Sequence, residues 1–199
     1  MRRIAMFNRV SADGYFAAED GNRDWVVPEP EIDKEAAAGI PENDTVVFGR
    51  KTYEMFASFW PKFVEDARVT DPHDPGRRSP EMEAMGRFLD EASKIVFSRT
   101  LRQANWKNTR IERELVAGEI ERLKKEPGKG ILVFGSGSIV SRLTEHGLID
   151  EYRFVVCPVL LGRGKPLLRE ISKRRRLVLA ETKKCPSGNV LLRYESAKP

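Results

Sequence analysis

The ten residues Thr45-Val46-Val47-Phe48-Gly49-Arg50-Lys51-Thr52-Tyr53-Glu54 constrain this chain more than any other stretch. The first half is β-branched and aromatic, the composition of a buried parallel strand, and the second half restarts at a glycine with helix-forming residues. A strand that turns tightly into a helix leaves free N–H groups and the positive end of the helix dipole at the turn. Gly49 is expected to let the backbone fold sharply and approach a ligand, while Arg50 and Lys51 add two cations and Thr52 a hydroxyl. A phosphorylated ligand is the economical inference; the plain alternative is an ordinary β–α turn with solvated side chains. A second stretch, residues 130–140, repeats the pattern: an apolar strand enters the small-residue turn Gly135-Ser136-Gly137-Ser138, then an amphipathic segment follows. Such a turn can form a backbone nest for a pyrophosphate. The dinucleotide fingerprint is incomplete, because Val140 stands where its last glycine would be. A third strand, Lys94 to Phe97, ends in Ser98-Arg99-Thr100. Ligands of open α/β sheets bind outside the carboxyl ends of the strands, so three polar termini can converge on one cofactor.

At 199 residues the chain fits one domain, 1–199, with a full-sized core. No apolar run approaches a membrane span, and Met1-Arg2-Arg3 leads directly into a strand pattern, so a cytoplasmic protein without a membrane partner is expected. The formal charge of +5 raises the question of nucleic acid. Much of it comes from Lys173-Arg174-Arg175-Arg176, a run without interleaved aromatics that reads as a solvated loop, and no nucleic-acid partner is expected. Cys157 and Cys185 read as reduced thiols. His73 and His146 lie in polar surroundings, away from either cysteine, so no metal site is expected.

In chain order, the first strand spans residues 3–10 and includes Asn8. Ser11-Ala12-Asp13-Gly14 then makes a polar turn of the kind found at the mouth of a site. Trp25 is an apolar lid or a core anchor. A helix over 31–38 precedes the strand 44–48. In the following helix, 51–59, Tyr53, Phe56 and Trp60 recur at helical spacing, a core stripe from which one or two members can reach a pocket. Residues 62–80 read as a surface loop, 80–90 as a helix, 94–97 and 106–111 as strands, and 112–125 as a charged helix. After the strand 130–134 and a helix to about 145 come a strand over 152–161, a flexible basic loop over 161–166, and a terminal hairpin of 177–182 with 190–194. That gives about eight strands and four or five helices, parallel first and antiparallel last.

These residues resemble the dihydrofolate reductase-like family, and within it the reductase domain of bifunctional riboflavin-biosynthesis enzymes and its stand-alone relatives. The resemblance is carried by Ser11-Ala12-Asp13-Gly14, by Val47 to Glu54, by Phe97 to Leu101, by Phe134 to Ser138, and by Leu148 to Glu151 continuing through Pro158 to Gly164. It implies a three-layer α/β sandwich: a central, mostly parallel eight-stranded sheet, a C-terminal antiparallel hairpin and helices on both faces. It also implies a homodimer that transfers hydride from NADPH to a small pyrimidine- or pterin-type substrate, with 5-amino-6-(5-phosphoribosylamino)uracil the leading candidate. Activity on folates, or nucleotide binding without catalysis, stays open beside it. Arg50, Ser98 and Arg99, with Thr100 beside them, would hold the 2′-phosphate. Lys51 and Thr52 after Gly49 would hold the pyrophosphate, with Gly135, Ser136, Gly137 and Ser138 on its other face. Ser11, Asp13 and Gly14 would flank the nicotinamide, with Asp13 the candidate for the proton step against the competing reading of a turn aspartate that caps backbone N–H groups. Asn8, Trp25, Phe56 and Trp60 are the candidate substrate contacts. Dihydrofolate reductases proper carry a pteridine-binding carboxylate on the first helix; Glu31, Asp33 and Glu35 occupy it here, no register aims one inward, and all three read as surface helix acids. The zinc-ligand Cys and His of the deaminase partner domain are absent from these residues, so a stand-alone reductase is expected.

Overall fold

The apolar runs become the strands of one sheet. In the computed structural model, which describes residues 1–72 and 74–197, the strands are β1 (Ile4–Ser11), β2 (Tyr15–Ala17), β3 (Asn43–Gly49), β4 (Ser93–Phe97), β5 (Thr109–Glu112), β6 (Gly130–Phe134), β7 (Glu151–Cys157), β8 (Lys165–Pro166), β9 (Leu177–Lys184) and β10 (Val190–Ser196). Among the described residues, eight of these form the main sheet in the order β5-β4-β3-β6-β1-β7-β10-β9. Strands β5 to β7 run parallel, and β10 is antiparallel to both β7 and β9. The expected mostly parallel sheet and terminal hairpin are both present.

Helices α1 (Pro30–Ala38), α2 (Arg50–Glu65) and α3 (Pro80–Glu91) cover one face, while α4 (Ala117–Lys125) and α5 (Gly137–Glu145) cover the other. Because side chains alternate along a strand, neighbouring residues feed different cores. Val47, Ile131 and Val133 pack with Leu123, Val140 and Leu143 on the α4–α5 side. Val46, Phe48 and Leu132 pack with Tyr53, Phe88 and Leu89 on the α2–α3 side. A smaller cluster, Ile32, Val155, Cys157, Cys185 and Leu191, seals α1 and the hairpin against β7. Both cysteines are free and buried there, and burial pushes both thiols up, away from the reactive thiolate.

Several boundaries differ from expectation for local reasons. Helix α2 does not stop at residue 59 but continues through Pro61 to Glu65. Its last turns are held by rings: Phe59 and Trp60 pack on buried Phe63 at 5.5 and 5.6 Å, and the Arg78 guanidinium covers Phe63 at 3.9 Å. Trp106 is not in a strand. It is buried against Tyr53, whose hydroxyl accepts from the Trp106 N–H at 3.2 Å. Helix α4 starts at Ala117 rather than residue 112, because Glu112 completes the β5 ladder opposite Phe97. The loop expected at 161–166 contributes β8, which pairs with β2 in a second, two-stranded ribbon. Arg175 lies in the basic run but serves the fold, donating to the Thr144 carbonyl at 3.1 Å and to the Glu145 carbonyl at the end of α5. His146 is exposed at that same helix end, and His73 lies outside the described residues.

Candidate functional site

Parallel register decides which residues meet. Val47 pairs with Val133, Gly49 with Phe97, and Phe7 with Phe134, so the ends of β3, β4, β6 and the middle of β1 reach one level. A cleft of about 970 Å³ opens along this rim. Its floor is Gly49 to Thr52 and Gly135 to Ser138, and Phe16, Ala17, Lys165 and Pro166 of the two-stranded ribbon form one wall. Six arginines and lysines line it against two glutamates, Glu145 and Glu170, so the cleft favours an anion.

The two turns are stitched to each other. The Gly49 N–H donates to Ser136 Oγ at 2.8 Å, and the Ser136 N–H donates to Thr52 Oγ1 at 3.1 Å. The Thr52 and Ser136 oxygens are thus engaged in fixing the distance between the turns. What faces the cleft is backbone: helices α2 and α5 both begin without a side-chain cap and without an acidic residue in the first turn, leaving their first N–H groups available. Gly135 and Ser136 are consecutive left-handed residues, φ +55° and +57°, a conformation that turns successive N–H groups toward one side.

Glycine is needed at positions other than the one the sequence emphasised. Gly49 has an ordinary extended backbone, φ −85°, and a Cβ there would meet Ile139 and Ser136 at 3.5 Å, normal contact. At Gly135 the positive φ and a Thr52 contact at 3.0 Å both demand glycine, and at Gly137 a Cβ would strike the Phe16 ring at 2.7 Å. The cradle fits a dinucleotide pyrophosphate in chemistry and in the closeness of backbone it allows. Lys51 extends from the first turn of α2 with no partner among the described residues, while Arg50 contacts Glu54 at 3.5 Å.

Other expected residues are placed differently. The end of β4 joins the cleft through Phe97 alone. Ser98 is buried, its hydroxyl accepting from the Thr100 and Leu101 N–H groups at 3.2 and 2.9 Å; Arg99 pairs with Glu114, and neither these two nor Thr100 lines the cleft. Ser11, Asp13 and Gly14 do not line it either. The Asp13 carboxylate takes the Ser11 hydroxyl at 2.6 Å and the Leu161 and Gly162 N–H groups at 3.1 and 2.7 Å. The Ser11 bond, then those N–H groups, hold its carboxyl below the usual range. An exposed, ionised, fully engaged carboxylate has no proton to give, so Asp13 is a clamp that ties the first turn to the 161–162 loop.

A second cavity of about 210 Å³ lies on the α1–α3 side of β1 and shares Arg23 and Gly135 with the cleft. Phe56 and Trp60 line it together with Phe7, Phe134, Met82 and Met85, while also packing toward the core, Phe56 at 5.1 Å from Phe48. Asn8 lines it too, but its side-chain amide donates to Met6 Sδ at 3.3 Å. Trp25 lines neither cavity; it packs on the Ile32–Leu191 cluster as a core anchor.

The residue whose orientation sequence reasoning did not fix is Asp33. Glu31 and Glu35 turn outward to Lys183, each at 3.0 Å, but Asp33 faces the second cavity, bound by Arg77 at 2.6 Å and approached by Arg9 at 3.6 Å. Burial raises its carboxyl above the ordinary range against the pull of those two arginines. The 3.6-residue helical period could have separated it from Glu31 and Glu35, since Ile32, its neighbour, is the one buried residue of α1.

Among the described residues no cluster of His, Cys, Asp and Glu could hold a metal ion, and no helix is long and apolar enough to cross a membrane. YyaP, an uncharacterized protein of Bacillus subtilis strain 168, is 29% identical over 194 residues, 97% of this chain and 94% of that protein. The crystal structure of a putative riboflavin biosynthesis protein from Shewanella sp. PV-4 superimposes with a TM-score of 0.72 at 22% identity, covering all of both chains. Acinetobacter baumannii RibD superimposes with a TM-score of 0.68 at 15% identity, over all of this chain and 59% of that one. At these identities the two structures establish the fold. The family model of the RibD C-terminal domain matches residues 2–191, and the chain belongs to that family.

Proposed function

We propose that this protein is an NADPH-dependent reductase acting on a pyrimidine- or pterin-type acceptor, of the 5-amino-6-(5-phosphoribosylamino)uracil reductase kind. One observation carries the reading: two uncapped, acid-free helix N-termini are stitched side by side at the floor of a basic cleft, and an aromatic-walled cavity shares Arg23 and Gly135 with that cleft. NADPH supplies the hydride when bound. Lys51 and the backbone of Gly135 to Ser138 would take its pyrophosphate, and Arg50 its 2′-phosphate. Phe56, Trp60 and Phe134, packed on one another, would offer one aromatic wall to a flat acceptor and exclude water from that side. Asp33, rather than Asp13, would face the amino-pyrimidine edge shared by both acceptor types and relay the proton that the reduction consumes. We also read the protein as a cytoplasmic homodimer; Val178 and Leu179, 58% and 51% exposed on edge strand β9, support the dimer.

Titration with NADPH and NADH, followed by nucleotide fluorescence, tests the cofactor, with NADPH the tighter. Stopped-flow oxidation of bound NADPH by a panel of aminopyrimidines and pteridines tests the acceptor. Failure of both nucleotides to bind at micromolar concentration ends the reductase reading.

A further inference from the structure

Arg23 is the one side chain that lines both cavities; Gly135 adds only backbone to the junction. Its Nε is buried and has no hydrogen-bond partner, and its guanidinium makes no hydrogen bond or ion pair among the described residues. The other cations nearby are committed. Arg9 donates to the Val27 carbonyl at 3.1 Å and faces Asp33, and Arg77 bridges Asp33 and Asp71. Asp33 is therefore shared between two arginines and does not reach a third. Arg9 also repels Arg23, and no carboxylate offsets it. Arg23 is half-buried, and a guanidinium with an unpartnered buried Nε beside a like charge is better satisfied once an anion completes it.

We propose that Arg23 is the anion-binding residue of the second cavity, taking a phosphate or carboxylate group borne on a flat aromatic acceptor. The aromatic wall of Phe7, Phe56, Trp60 and Phe134 contacts the ring, and the guanidinium shared with the cleft donates to the charged substituent in a bidentate pair. The dinucleotide phosphates have their own cradle at Gly135 to Ser138, so the anion belongs to the acceptor. The assignment rests on the reductase reading for the acceptor's role, not for the existence of the anion site.

Phenyl phosphate and benzoate are the probes, with phenol as the uncharged control, measured by calorimetry on the full chain without nucleotide. The anions bind at least tenfold tighter than phenol to the wild type. Arg23→Met abolishes that preference and Arg23→Lys restores part of it, while the NADPH dissociation constant changes less than twofold. Without ligand, Arg23→Met melts at the wild-type temperature or above, because it removes an unpaired charge. An undiminished anion preference in Arg23→Met overturns the assignment, as does a lowered melting temperature in both variants, which marks a structural arginine. Loss of NADPH binding in Arg23→Met assigns the guanidinium to the dinucleotide and overturns it equally. Wild type that binds phenyl phosphate but not NADPH sinks the reductase reading and leaves the anion site standing.

Discussion

Thr52→Val isolates the stitch between the two turns. Valine keeps the β-branched shape, so packing is preserved and the principal loss is one acceptor. The Ser136 N–H that donates to Thr52 Oγ1 at 3.1 Å is left without a partner in a residue only 6% exposed. An orphaned buried donor costs about 1–3 kcal/mol. For a domain of 199 residues each kcal/mol moves the melting temperature by roughly 2–4 °C, so a fall of about 2–12 °C is expected by calorimetry. Because Ser136 also accepts from the Gly49 N–H, the slack passes to both helix N-termini, and NADPH affinity should fall by about tenfold, equivalent to about 1.4 kcal/mol. Thr52→Ser keeps the hydroxyl and should recover most of both effects. A Thr52→Val protein with wild-type melting and wild-type NADPH affinity would refute the reasoning, since it would mean that water or a shifted backbone satisfies Ser136 at no cost.

Lys51→Met should weaken NADPH and NADH by a similar factor of about ten, because a pyrophosphate contact is common to both. Arg50→Met should penalise NADPH alone, and less severely, since Arg50 already shares its charge with Glu54; parallel fluorescence titrations separate the two patterns. Asp33→Asn should lower the hydride-transfer rate by about 10²-fold or more in single-turnover experiments. The Asp33 carboxyl is raised by burial, so its proton is present below the raised value and lost as pH climbs through it; the wild-type rate should decline across that window and the residual rate of Asp33→Asn should not. The same raised value means that the folded chain holds more protons than the unfolded one just above 3.8, so wild-type stability should fall with rising pH there, a slope the Asn variant lacks.

What the sequence disclosed was set by local rules. Each apolar run of four or five residues became a strand because nothing else in a chain of this length can bury it, and the glycine-rich turns fell at strand ends as parallel connections require. What it concealed was set by register and partner choice. Thr52 and Ser136 line the cleft as expected, but the sequence did not show that each hydroxyl oxygen also accepts from the other turn. Ser98-Arg99-Thr100 ends a strand at the correct level, but its side chains close their own turn and pair with Glu114. Asp13 carries the family's motif and serves a loop 148 residues away. Arg23 gave no signal beyond composition, and Asp33 was one of three acids on α1 whose register was not fixed; their significance comes from a cavity lined jointly by the first loop, α1 and β1.

The insertion of β6 between β3 and β1 fixes when the cleft can exist. During synthesis β1 and β3 emerge before the strand that lies between them in the sheet, and Thr52 waits 84 residues for the amide it will hold. On the proposed reading, nucleotide recognition would be a late product of folding rather than a property of either half of the chain. Ligand present while the polypeptide is still growing has nothing to grip until the sixth strand arrives, and a protein cut between α4 and β6 should recover binding only when its two pieces are recombined.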